Sequence, residues 1–269
     1  MATSGDRGVG SAGSPQGIKG LFVAEIVQAL VEGRVDLAVH SAKDLPSEDP
    51  EGVTIAAVPE RAAPFDVLIT RGGGDLAQGG VVGTSSIRRT AQLRRVRPDL
   101  IVTSLRGNVD TRLAKLDRGE IDGLVLAAAG LARLGISPPS AVPFPMGEMV
   151  PAPGQGALAI QARADDRDTL AMAERLDHAP SRSAFDAERY LVMSMGGGCA
   201  LPLGAYAEQR DGAVRLLAVV IRPDGSDLVW AQAEAPSPRE AADEVARILE
   251  AGGARAILAD VRADASPST

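Results

Sequence analysis

Val81-Val82-Gly83-Thr84-Ser85-Ser86-Ile87-Arg88-Arg89 carries the rule by which the chain is built. Two β-branched residues make a short strand, a glycine and three hydroxyl side chains make a turn, and a helix opens behind them. That helix has Ala91, Leu93 and Val96 near helical spacing and is closed by Pro98. The alternation continues downstream: residues 101–105 form a strand, 109–118 a helix, 121–126 a strand and 127–134 a helix stopped by Gly135. Strands separated by helices of about ten residues predict a doubly wound α/β unit over residues 61–150. Open sheets of this kind gather their ligands at the carboxyl ends of the strands.

Working outward, Leu21, Phe22, Ile26, Ala29 and Leu30 predict a helix over 21–32 that ends at Gly33. Residues 35–40 then form a short buried strand running into Ser41-Ala42-Lys43-Asp44-Leu45-Pro46. Residues 1–20 are rich in glycine and serine and have the composition of a mobile loop. Beyond residue 150, Pro151 and Pro153 continue a linker begun by Pro143 and Pro145, and 156–161 form a strand returning to the first unit. Residues 183–195 form a long helix that delivers the chain to Gly196-Gly197-Gly198-Cys199-Ala200-Leu201-Pro202-Leu203-Gly204. After it, strands at 203–207, 214–221 and 228–233 are joined by turns at Asp211-Gly212 and Pro223-Asp224-Gly225. An amphipathic helix at 239–249 completes a small α+β unit. The expected division is residues 1–60 with 157–175, residues 61–150, and residues 179–269.

The bulk composition narrows the function. A chain of 269 residues suits two or three domains, and 45% hydrophobic content with only 3% aromatics predicts aliphatic cores. No apolar run approaches the roughly 18 residues of a membrane span. The first residues lack the apolar segment of a secretory signal. A single cysteine cannot form an internal disulfide, and together with the missing signal it points to the cytoplasm. A net charge of −7 argues against nucleic acid as a partner. His40 and His178 lie far apart without cysteine partners, so no metal site is expected.

Chemistry therefore falls to carboxylates, cations and Cys199. The three glycines before Cys199 leave room beside a good nucleophile; a small buried hydrophobe fits the same loop. Asp44 follows a strand directly, where a carboxylate can move protons, or it can simply pair with Lys43 at the surface. Arg88 and Arg89 stand in the first turn of a helix whose start offers backbone N–H groups and hydroxyls. Arg106, Arg112 and Arg133 follow on later elements. Gathered in one crevice, they suit a ligand with several negative groups, whereas Arg94, Arg95 and Arg97 have the spacing of a solvated helix face. No Walker-type loop is present. Lys19, in Gly17-Ile18-Lys19-Gly20, could fold over an anion or stay solvated.

Together these stretches resemble the hydroxymethylbilane synthase (porphobilinogen deaminase) family. The resemblance rests on Ile18-Lys19-Gly20-Leu21-Phe22, on the run from Asp36 through His40-Ser41-Ala42-Lys43-Asp44 to Pro46, and on Val82 to Arg89. Leu105-Arg106-Gly107-Asn108-Val109, Ala129 to Gly135, Pro153-Gly154-Gln155-Gly156-Ala157 and the cysteine loop complete it, in the family's order. It implies two units resembling periplasmic binding proteins around a cleft, plus the small α+β unit bearing the cysteine. It implies a dipyrromethane cofactor joined through a thioether to Cys199, and porphobilinogen with the growing polypyrrole chain as the partners of a monomeric cytoplasmic enzyme. Asp44 would be the acid/base that assists loss of ammonia and stabilises the resulting azafulvene cation. Ser41, Lys43, Thr84, Ser86, Arg88, Arg89, Arg106 and Arg112 would hold the cofactor's carboxylates. Arg133, Gln155 and Lys19 would meet substrate, Lys19 from a flexible loop over the cleft.

Two departures stand out. The family opens with a strand and a loop bearing an arginine and a serine, whereas Met1 aligns a few dozen residues further in. That start fits either a late gene call or a shortened chain, and a missing strand would leave an unpaired sheet edge. Arg61-Ala62-Ala63-Pro64-Phe65-Asp66 has alanines where the family carries acids and Phe65 where it carries an arginine, which puts interdomain salt bridges in question. A non-catalytic anion-binding protein and a truncated inactive paralogue are the rival readings; a cysteine-anchored pyrrole separates the first from the enzyme, and the DNA upstream of Met1, read for an in-frame strand, tests the second.

Overall fold

The computed structural model describes residues 15–196 and 201–265; Cys199 and the other residues of 197–200 lie outside them. Three sheets organise the chain. The first contains β1 (Ala38–Ser41), β2 (Val53–Ala57) and β8 (Leu158–Arg163) in the order β1-β8-β2, with both pairings antiparallel. The chain thus returns to its first sheet through β8, which pairs Ser41 with Leu158 and Val53 with Arg163. Among the described residues β1 is an edge strand, and its outward Val39 is 60% exposed. The expected buried strand is therefore buried on one face only.

The helix on this sheet, α1 (Pro15–Val31), starts earlier than the sequence predicts. Residues 15–20 belong to it and not to a loop, and Lys19 lies within it. Pro15 suits a first turn, where its missing N–H has no role, and the apolar spacing runs on from Ile18. Gly17 and Gly20 weaken a helix by about 1 kcal/mol each without breaking it.

The second sheet has five strands: β3 (Asp66–Thr70), β4 (Val81–Gly83), β5 (Ile101–Thr103), β6 (Gly123–Ala127) and β7 (Ala141–Pro143), in the order β5-β4-β6-β3-β7. β4 runs parallel to β5 and β6, while β3 is antiparallel to β6 and β7. Three helices connect these strands: α2 (Ile87–Val96), α3 (Val109–Asp117) and α4 (Ala128–Arg133). The parallel part matches the alternation legible in the sequence; β3 and β7 do not belong to it.

Two helices, α5 (Arg167–Glu174) and α6 (Ala179–Ser194), lead to the third sheet, an antiparallel meander of β9 (Leu203–Arg210), β10 (Ala213–Ile221) and β11 (Leu228–Ala235). Asp211 and Gly212 both have positive φ, 52° and 82°, the pattern of a two-residue hairpin turn between paired Arg210 and Ala213. Helix α6 and the last two helices, α7 (Pro238–Ala251) and α8 (Ala254–Ala265), pack over this sheet on a core of Ala, Val, Leu and Ile. No helix among the described residues is long and apolar enough to cross a membrane.

Polar ties bind the three parts. Glu188 of α6 is fully buried; its carboxylate accepts from Arg61 Nη1 (2.6 Å) and Nη2 (3.2 Å) and from the backbone N–H groups of Gly154 (2.6 Å) and Ala207 (2.7 Å). Arg61 also stacks over Tyr206, 5.3 Å from the ring centre. The alanines of the 61–66 stretch therefore do not dissolve the salt bridges between units, because Arg61 keeps its own to Glu188. Arg94 and Arg95 are not merely solvated either. They donate to the carbonyls of Pro223 (3.0 Å) and Ser226 (3.2 Å), tying α2 to the hairpin between β10 and β11. Arg97 pairs with Asp99 at 2.7 Å.

Candidate active site

Between the first two sheets and the C-terminal unit lies a cavity of about 880 Å³. Its acidic group comes from the first sheet. Past Ser41 the chain makes a single 3-10 turn, Ala42–Asp44, closed by Leu45 N–H donating to Ala42 O at 3.2 Å. Ala42 and Leu45 are buried and anchor the turn, so Lys43 and Asp44 reach the cavity. The neighbouring Gly154 lies against this turn with φ +73°. A Cβ there would sit 2.9 Å from Lys43 N and 3.0 Å from Ala42 C, so only glycine permits the approach.

The opposite wall comes from the second sheet. At the end of β4, Thr84 Oγ1 accepts from Ser86 N–H (3.2 Å), Ser85 Oγ donates to Leu105 O, and Ser86 caps α2 by accepting from Arg89 N–H. This start fixes Arg88 and Arg89 in the first turn, both buried, around the wholly buried carboxylate of Asp66. Arg89 donates to Asp66 Oδ1 from Nη2 (2.7 Å) and Nε (3.0 Å), and Arg88 Nη2 lies 2.8 Å from Oδ2 as an ion pair without hydrogen-bond alignment. The Nη1 groups reach Val125 O (3.1 Å, from Arg89) and Val150 O (2.7 Å, from Arg88), while Arg88 Nε is buried without a hydrogen-bond partner among the described residues. Burial alone would raise the pKa of Asp66, but Arg88, Arg89 and the Gln155 amide hold it far below the ordinary carboxylate range.

Arg106 and Arg112 complete the wall, and among the described residues no carboxylate lies within salt-bridge distance of either. Arg112 Nε is buried without a hydrogen-bond partner, and burial together with the Arg89 charge lowers its pKa. An arginine remains charged through such a shift. Among the described residues six cations line the cavity, from Lys43 through Arg88, Arg89, Arg106 and Arg112 to Arg189, against the single lining carboxylate of Asp44. A chain of net charge −7 thus encloses a strongly cationic hollow. The other face is apolar, with Val23, Val27, Phe185, Val192, Leu201 and Leu203. An anionic ligand with flat, weakly polar rings fits both faces.

Lys43, Asp44, Ser86, Arg88, Arg89, Arg106, Arg112 and Gln155 are thus brought together. Ser41, Thr84 and Arg133 lie outside the lining. Ser41 pairs with Leu158 in the first sheet, Thr84 is turned into its own loop, and Arg133 Nη2 donates to Gly156 O at 2.7 Å. Cys199 and the Lys19 side chain are outside what the structure describes, but Leu201, two residues past the cysteine, lines the cavity. Sequence reasoning missed the apolar wall, Arg189, and Asp66, the carboxylate that organises the arginine pair.

Two family models match the chain: porphobilinogen deaminase, dipyromethane cofactor binding domain, over residues 1–171, and porphobilinogen deaminase, C-terminal domain, over residues 183–251. Curated proteins named porphobilinogen deaminase align along nearly all of it. That of Desulforudis audaxviator is 51% identical over 271 residues, covering 98% of this chain and 87% of the relative. That of Ralstonia nicotianae is 47% identical, covering 100% and 83%, and that of Thermus thermophilus 46% identical, covering 97% and 87%. Among solved structures, an ABC-transporter periplasmic binding protein from Brucella ovis with glutathione bound aligns over 56% of this chain and 50% of its own. Its TM-score is 0.37 and its identity 17%, too slight a likeness to carry a conclusion.

Proposed function

The chain belongs to the porphobilinogen deaminase family and catalyses that family's stepwise deaminative condensation of porphobilinogen into hydroxymethylbilane, with a dipyrromethane cofactor; we propose that Asp44 is its acid/base and Cys199 its cofactor anchor. One observation carries the assignment of Asp44: among the described residues it is the only carboxylate lining a cavity that otherwise presents six cations. The donor set suits the cofactor. Arg106 and Arg112 offer charge without a competing carboxylate among the described residues, and the buried Arg112 Nε is a donor that a ligand carboxylate would satisfy. Leu201, two residues past Cys199 in sequence, lines the cavity and supports the choice of Cys199 as anchor. When bound, dipyrromethane supplies a pyrrole with a free α-carbon as the nucleophile.

The residues divide the remaining work. Arg106 and Arg112 draw in the carboxylates of substrate and growing chain, and Arg88, Arg89, Lys43 and Ser86 orient them. Asp44 gives a proton to the departing aminomethyl nitrogen, so that ammonia leaves as a neutral molecule. Its carboxylate then faces the cationic carbon and recovers a proton from the attacked α-position, which restores the starting state. Ser41, Thr84 and Arg133 support the cleft from outside it, and Lys19 meets substrate from α1. The same reading divides the chain into residues 1–60 with 157–175, 61–150 and 179–269. It gives a cytoplasmic monomer acting on small molecules, without nucleic acid or membrane as partner, in keeping with the net charge of −7 and the single cysteine.

Asp44→Asn tests the role. The substitution preserves size and polarity, so the melting temperature should hold while turnover of porphobilinogen falls by about 10² to 10⁴. Turnover within threefold of the parent would make Asp44 a surface carboxylate and nothing more.

A further inference from the structure

Gln155 lines the cavity, yet its amide is engaged by protein groups on both sides. It is 1% exposed. Its Nε2 donates to Pro64 O (2.7 Å) and Asp66 Oδ1 (2.8 Å), and its Oε1 accepts from Lys43 Nζ (3.4 Å). Asp66 in turn grips Arg88 and Arg89. A continuous line of polar contacts therefore crosses the cleft floor, from the loop of Lys43 and Asp44 on the first sheet to the guanidinium pair of α2 on the second. The mount is rigid: Gln155 N–H donates to Ala152 O (2.9 Å), and Gly154 N–H is held by the buried Glu188.

We propose that Gln155 is a positioning residue, setting the spacing between the acid-bearing loop and the arginine wall, and that it is not a donor to substrate. The inference rests on the functional reading above. Only a primary amide meets the demand, since one planar group must donate to two oxygens and accept from an ammonium. A carboxylate has no donors, and a thioether has no donor and only a weak acceptor. Because reacting groups displaced by about 1 Å can lose 10²-fold in rate, loss of this spacer strikes the chemical step. Capture of carboxylates by Arg106 and Arg112 is left in place.

The test is Gln155→Met and Gln155→Glu in the full chain with its cofactor. For Gln155→Met, kcat should fall by about 30- to 100-fold with KM within threefold. A raised KM with kcat intact would make Gln155 a direct ligand group and overturn the proposal. A lower melting temperature with both constants unchanged would make it purely structural and overturn it equally. A second readout needs no turnover: competitive acetylation of Lys43 against Lys115 with acetic anhydride, read by mass spectrometry. Lys43 should label several-fold faster in Gln155→Met, and an unchanged ratio refutes the contact. Should the Met variant not fold, Gln155→Glu decides. It retains the Lys43 contact and sets a second carboxylate near Asp66, so Lys43 should label more slowly and kcat should fall; parent values for both refute the proposal. Labelling is independent of the reaction, so a wild-type chain that made no hydroxymethylbilane would count against the functional reading and leave this test standing.

Discussion

Replacing Asp66 by Asn probes the arginine wall at the point where it is held. The carboxylate is fully buried between Arg88 and Arg89, with contacts of 2.8 and 2.7 Å. An amide of equal size keeps one acceptor but removes the charge and turns N–H groups toward a guanidinium. Breaking a buried ion pair from one side costs about 3–5 kcal/mol, because the partner charge stays buried and uncompensated. At roughly 2–4 °C per kcal/mol for a chain of this size, a loss near 4 kcal/mol lowers the melting transition by about 8–16 °C at pH 7. The pH dependence follows from linkage. The folded pKa of Asp66 is depressed, so its stabilisation is full above the unfolded value of about 3.9 and is lost as pH falls through the folded value. Calorimetry of parent and variant between pH 7 and pH 3 should show a gap that is constant down to about pH 4 and narrows below it. A variant melting within 2 °C of the parent at pH 7, or a gap indifferent to pH, would falsify the reasoning.

Glu188→Ala removes four accepted hydrogen bonds and leaves Arg61, whose side chain is 10% exposed, without its carboxylate. A loss of about 3–5 kcal/mol is expected, read as a lower melting temperature, with earlier proteolytic cleavage near residues 151–157. Arg112→Leu removes a partly buried cation that has no carboxylate partner among the described residues. Stability should hold or rise slightly, since no charge is left desolvated, while KM for porphobilinogen rises about tenfold and becomes less sensitive to salt. Unchanged KM and salt response would remove Arg112 from the binding wall.

The parallel half of the second sheet was legible because Val81-Val82, Ile101-Val102 and the 121–126 run each adjoin a turn and an amphipathic helix. β3 and β7 were not, because they join the sheet antiparallel, outside that rhythm, and the three-residue β7 is too short to show a period. The loop composition of residues 15–20 concealed a helix that begins at a proline. Arg88, Arg89, Arg106 and Arg112 could be read as a crevice because each follows a strand end. Asp66 could not, since its pairing joins residues 22 and 23 positions apart across the sheet and only the fold reveals it. Arg133 and Gln155 show the converse limit. Their residue types suit an anionic ligand, but the folded chain supplies them with carbonyls and a carboxylate of its own.

The claim on which the account turns is that Cys199 holds the pyrrole primer in the cationic cavity, and the intact mass of the purified full chain tests it most directly. The account predicts a protein heavier than its polypeptide by two linked pyrrole units, and a Cys199→Ser variant with the mass of the bare chain. A parent of bare-chain mass after incubation with porphobilinogen, or a serine variant that still carries the adduct, would contradict it.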